Sequence, residues 1–188
     1  DMNIMKKFMN NTDFLVGIKN LLIDKSKNRG SGIGGTIISE LADDVNIPIL
    51  VNKSYDLPSW VNEHTLVIGS TYSGNTEETL STVVEAIEKG AYIIGVTSGG
   101  EMQAICEKNG FDCVIVPGGN PPRTALAFSL VQLLNIFSEL GMISSDRLSE
   151  METARQLIVK DEVNIKAKAH EIAAFLIGNV GVLYGTTI

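Results

Sequence analysis

Short apolar runs alternate along this chain with longer stretches in which apolar positions recur every three or four residues. The first pattern fits strands and the second amphipathic helices. Strands are expected at residues 47–51, 65–69, 91–97 and 113–116, each a nearly continuous apolar run, as a sheet buried on both faces requires. Pro48 places the first of these at a strand start or an edge. Helices are expected at 77–88, at 101–109 with Gly110 as its stop, and at 124–140. After a break at 141–145, one long helical pattern of mixed charge runs from Arg147 to Leu176, and residues 179–184 begin a further strand. Strands and helices in alternation predict an α/β fold, a three-layer αβα sandwich around a parallel sheet.

The N-terminal part is less regular. Phe8, Phe14, Leu15, Ile18, Leu21 and Leu22 share one face of a helix spanning residues 3–25. A glycine-rich loop follows at 30–35 and feeds a short helix ending near Asp44. Residues 25–29 are polar where a buried strand would lead into such a loop, unless 19–24 is itself that strand.

Composition narrows the picture. The chain has 188 residues, enough for one domain with a sizeable core and short for two. Its hydrophobic content is 44% and its charged content 20%, ordinary for a soluble globular protein. A net charge of −7 and the lack of a basic stripe argue against nucleic-acid binding. No run reaches the roughly 18 apolar residues that span a bilayer, no signal-peptide core is evident, and a cytoplasmic location is expected. Cys106 and Cys113 lie seven positions apart with no histidine nearby, which fits buried thiols better than a disulfide framework or a metal site.

The most informative stretch is Gly69-Ser70-Thr71-Tyr72-Ser73-Gly74-Asn75-Thr76, between an expected strand and an expected helix. The first N–H groups of a helix have no internal acceptor, and the helix dipole is positive there. Hydroxyls of Ser70, Thr71, Ser73 and Thr76 add donors without charge, so the stretch suits a phosphate. A plain cap by Ser73 or Thr76 would account for one of these hydroxyls. Gly30-Ser31-Gly32-Ile33-Gly34-Gly35 matches the dinucleotide fingerprint. The following strand, however, ends at Asn52-Lys53 without the carboxylate that would take a ribose. A close backbone approach to a ligand, with Ser31 beside it, fits the loop better than a nicotinamide site does. Arg123 follows Pro121-Pro122 after the fourth strand, at the sheet edge where ligands of parallel sheets bind. An arginine there can face charge that develops during a reaction. His64 and His170 read as surface residues, and Glu77 and Glu78, at a helix start, as poor general bases.

The glycine loop at 30–35, the Thr71–Thr76 segment with its Glu77-Glu78-Thr79 helix start, the Thr97-Ser98-Gly99-Gly100 turn and Pro122-Arg123-Thr124-Ala125, in this order, resemble a sugar isomerase (SIS) domain. Over residues 29–185 they are similar to the first half of archaeal bifunctional phosphoglucose/phosphomannose isomerases. The resemblance implies a flavodoxin-like five-stranded sheet, with an N-terminal helical segment at 1–28, an SIS domain at 29–146, a connecting helix at 147–177 and, at 178–188, the first strand of a second SIS domain. It implies a homodimer and a hexose 6-phosphate held by Ser31, Thr71, Ser73 and Thr76, with backbone contacts from Gly32, Gly74 and Asn75. Thr71 stands where the family often has serine. Arg123 matches the arginine that stabilises the enediolate in aldose–ketose isomerisation, which needs no metal or organic cofactor. The family's glutamate, histidine and lysine lie in its second domain, beyond this chain, which alone is expected to bind sugar phosphate without isomerising it. A non-catalytic regulatory module and another SIS sugar-phosphate isomerase are the alternatives.

Overall fold

Leu21, Leu22 and Ile23 stand in extended backbone, not in a helix: strand β1 spans Asn20–Asp24. The expected helix over 3–25 is thereby corrected at its end, and the strand reading of 19–24 holds there. A short apolar run satisfies either period, and pairing on both sides decides for the strand. The computed structural model describes residues 20–24, 47–144 and 146–182. The glycine loop with Ser31 and Gly32, the rest of the N-terminal helix, the short helix ending near Asp44 and the last residues of the 179–184 strand lie outside the described residues.

The remaining strands are β2 (Ile49–Asn52), β3 (Thr65–Ser70), β4 (Tyr92–Thr97) and β5 (Asp112–Ile115). β2 begins directly after Pro48, which has no N–H to give a ladder. All pairings are parallel, in the order β2-β1-β3-β4-β5. β3 is buried along its whole length, whereas the edge strands β2 and β5 are partly exposed. Helices α1 (Glu77–Glu88), α2 (Gly100–Asn109) and α3 (Leu126–Glu139) follow β3, β4 and β5. A 3-10 turn at Pro122–Thr124 precedes α3, so the helix starts later than the apolar spacing suggests. Thr124 closes that turn by donating its N–H and its hydroxyl to the Pro121 carbonyl.

Side chains alternate across β3 and β4. Val67 and Ile93 join Val83 and Ala86 of α1 and Met102 and Cys106 of α2 in one core cluster. Leu66, Ile68, Ile94 and Val96 occupy the opposite face and are equally buried, as are Leu133, Leu134, Ile136 and Phe137 of α3. On the α1–α2 face two glycines, Gly69 and Gly95, are register partners. A methyl group on Gly69 would lie 2.4 Å from the Met102 Cε, and one on Gly95 2.7 Å from the Cys106 Sγ. Cys106 and Cys113 are free thiols. The hydrogen bond with Cys113, and burial after it, push the Cys106 thiol up, so it stays protonated.

Glu85 of α1 ties the β2–β3 connection down by accepting the Leu57 N–H at 3.0 Å, and it pairs with Lys89 at 2.9 Å. The Leu57 N–H first, and Lys89 second, hold the Glu85 carboxyl below its ordinary value of 4.5. A depressed folded-state pKa contributes stability above the unfolded value and loses it as pH falls through the folded one. Glu85→Gln should therefore cost at most about 1 kcal/mol at neutral pH, and the gap from wild type should close as the pH falls below 4.5 and through the lowered folded-state value. Urea unfolding at a series of pH values checks this.

The chain divides into two compact units, Asp1–Ser144 and Ser145–Ile188. In the second, the single expected helix is two, α4 (Asp146–Lys160) and α5 (Glu162–Leu176), meeting at Asp161. Neither has a buried residue, so no packing holds them continuous. Residues 179–182 form no strand, which differs from the expectation for that segment.

Candidate functional site: the 70–76 loop and its neighbours

Because the sheet is parallel, β3, β4 and β5 release their chains at one edge, and the candidate loops gather there. The order reverses between β1 and β3, and ligands of open α/β sheets bind at such a switch point. Asp24, the last residue of β1, is the register partner of Gly69, so β1 ends beside the strand that leads into the 70–76 loop.

Gly74 turns the loop with φ +73°, and its N–H donates to the Thr71 carbonyl at 3.2 Å. The loop is fastened to its neighbours at several points. Its Gly74 carbonyl accepts the Met102 N–H at 2.9 Å, and Asn75 Oδ1 accepts the Glu101 N–H at 3.0 Å. The Tyr72 carbonyl accepts both the Ser98 N–H at 2.9 Å and the Ser98 hydroxyl at 2.6 Å. Across the gap, Gly100 has φ +71°, and a methyl group there would stand 2.6 Å from the Ser73 carbonyl oxygen. The Thr97-Ser98-Gly99-Gly100 turn and the start of α2 thus brace the loop through main-chain and side-chain bonds.

The hydroxyls divide into roles that spacing alone does not reveal. Thr71 and Thr76 are both buried and bond to one another at 2.8 Å. Two hydroxyls carry two protons, so one O–H of the pair is left for another acceptor. Thr76 occupies the cap position of α1 without using its side chain as a cap. The first helical bond runs from the Leu80 N–H to the Thr76 carbonyl at 3.0 Å. The N–H groups of Glu77, Glu78 and Thr79 consequently have no acceptor among the described residues. Ser73 is half-buried, and its oxygen accepts the Asn75 N–H at 3.3 Å, which leaves its proton to donate. Ser70 Oγ is buried and has no partner among the described residues. Gly74 is buried and Asn75 is exposed.

Arg123 lies in the 3-10 turn after β5, at the same sheet edge, and its backbone alone is described. The structure brings Thr71, Ser73, Gly74, Asn75 and Thr76 into one loop. Sequence reasoning missed Tyr72, whose hydroxyl donates to the Pro117 carbonyl at 2.9 Å and accepts the Asn120 N–H at 3.1 Å. A tyrosine in a run of small residues was the available signal. No group of three or more His, Cys, Asp or Glu side chains among the described residues could hold a metal ion, and no described helix is long and apolar enough to cross a membrane.

No protein-family model matches the chain. A bifunctional phosphoglucose/phosphomannose isomerase from Caldicellulosiruptor bescii is 47% identical over 124 residues, 64% of this chain and 37% of that protein. One from Thermoplasma volcanium is 36% identical over 160 residues, 84% of this chain and 48% of that protein. The chain is a homologue of the bifunctional phosphoglucose/phosphomannose isomerases. It spans half or less of the length of these relatives. Among solved structures, the tagatose-6-phosphate ketose/aldose isomerase from Escherichia coli superposes with a TM-score of 0.58 at 19% identity, over 81% of this chain and 48% of that one. At that identity the likeness concerns the fold, which is the sugar isomerase fold. In this homologue the anion-suited loop and its brace occupy the sheet edge at the switch point.

Proposed function

We propose that this chain binds the phosphate ester of a hexose 6-phosphate and serves an aldose–ketose isomerase that interconverts glucose 6-phosphate or mannose 6-phosphate with fructose 6-phosphate. The observation that carries the reading is the open start of α1: Thr76 turns to Thr71, and the first N–H groups have no acceptor among the described residues. Those groups and the dipole behind them favour an anion. Ser73 adds an O–H donor, and one proton of the Thr71–Thr76 pair adds another. Ser31, on the segment leaving β1, completes the cradle in this reading, with backbone contacts from Gly32, Gly74 and Asn75. The kinship with phosphoglucose/phosphomannose isomerases supports the choice of sugar phosphate.

Isomerisation through a cis-enediol moves a proton between C1 and C2 and places negative charge on oxygen. Arg123 stabilises that charge, an electrostatic role that gains strength where water is excluded. The proton-transfer groups belong to the remainder of a protein as long as the relatives, two such proteins forming a dimer. Neither metal nor organic cofactor enters the scheme.

Titration calorimetry with glucose 6-phosphate, inorganic phosphate and glucose tests the assignment. Binding of the first two and not of glucose is expected. Ser73→Ala should weaken both phosphate species by about 1–3 kcal/mol, the range for hydrogen bonds to charged groups. Equal affinity for glucose and its phosphate ester would sink it.

A further inference from the structure

We infer that Tyr72 is a positioning residue that fixes the backbone of Arg123 relative to the 70–76 loop. The inference rests on the reading of Arg123 given above. Tyr72 leaves the loop between Thr71 and Ser73, and its hydroxyl reaches the segment that follows β5. There it donates to the Pro117 carbonyl at 2.9 Å and accepts the Asn120 N–H at 3.1 Å. One oxygen therefore clamps both ends of a four-residue bend containing Gly118 and Gly119, the latter at φ +86°. Without the clamp such a bend has wide conformational freedom.

Beyond Asn120 the chain is stiff. Pro121 and Pro122 have ring-locked φ, and Thr124 closes the turn by donating its N–H and its hydroxyl to the Pro121 carbonyl, at 2.9 and 2.8 Å. The position of Asn120 is thus passed to Arg123 with little play. The other end of Tyr72 is equally fixed, since its carbonyl holds Ser98 through two bonds. Tyr72 ties the connections after β3, β4 and β5 together, and the distance between a phosphate on the first and an arginine on the last is set by its length.

Tyr72→Phe removes one oxygen and keeps the ring. Amide hydrogen exchange at Asn120, followed by NMR, should quicken about 2- to 10-fold, as loss of one such bond predicts. Binding is then measured for inorganic phosphate and for 5-phospho-arabinonohydroxamate, a phosphate ester whose hydroxamate mimics a cis-enediolate. Tyr72→Phe and Arg123→Ala should each weaken the hydroxamate, Arg123→Ala by about 10- to 100-fold. Inorganic phosphate should bind both variants within about twofold of wild type, and the double variant should bind the hydroxamate no more weakly than Arg123→Ala alone. Additive losses, or unchanged exchange at Asn120, would overturn the positioning role while leaving the phosphate assignment intact. A wild-type chain that binds neither probe would instead overturn the sugar-phosphate reading, and the positioning role with it, even if exchange at Asn120 quickens.

Discussion

Gly74→Ala is expected to destabilise the first unit by about 2–5 kcal/mol and to abolish measurable sugar-phosphate binding. The methyl group would lie 1.8 Å from the Gly99 carbonyl oxygen and 2.7 Å from its carbon. Both are main chain, so no side chain can swing aside. The residue would also be held at φ +73°, which costs an L-amino acid about 1–2 kcal/mol. Relief requires the loop and the Thr97-Ser98-Gly99-Gly100 turn to part, which breaks the Met102-to-Gly74 and Glu101-to-Asn75 bonds together. Denaturant unfolding measures the first effect, and calorimetry with glucose 6-phosphate the second. Stability within about 0.5 kcal/mol of wild type would show that the brace is not built as described.

Phe137→Ala should cost a similar amount for a different reason and with a different signature. Among the described residues Phe137 heads the fully buried side chains by size, and it lies on α3. Truncating a buried phenylalanine typically costs about 3–5 kcal/mol, from lost burial plus the cavity left behind. No hydrogen bond of the 70–76 loop involves this side chain. The folded fraction should bind glucose 6-phosphate with unchanged affinity, whereas the denaturation midpoint falls sharply. A loss of affinity at full folding would link α3 to the site in a way the hydrogen bonds do not provide.

Much of this arrangement was legible from residue types. Continuous apolar runs such as 65–69 announced a buried parallel strand, because β3 is covered on both faces and has no polar side to display. Glycine and hydroxyls before a helix marked the loop at 70–76 as the candidate site. Its wiring was not legible, since the partners come from elsewhere in the chain. Whether Thr76 caps α1 or turns to Thr71 depends on the distance between two hydroxyls five residues apart. The Tyr72 bonds reach 45 and 48 positions along the chain, and no local pattern encodes them. β1 was ambiguous because Leu21, Leu22 and Ile23 suit either a helix face or a central strand, and only neighbours on both sides settle which. The division at Asp161 was hidden for the opposite reason: spacing sustains one helix there, and no packing enforces it.

The paired glycines of β3 and β4 have a consequence for the loop edge. With no side chains at Gly69 and Gly95, the sheet has a bare seat, and α2 settles into it through Met102 and Cys106. The first residues of that same helix grip the 70–76 loop. α2 therefore works as a gauge rod: how deeply it sits on the sheet sets how far apart the two loops stand at its end. A side chain added in the sheet interior would be read out at the 70–76 loop, one helix away from the place where it was added.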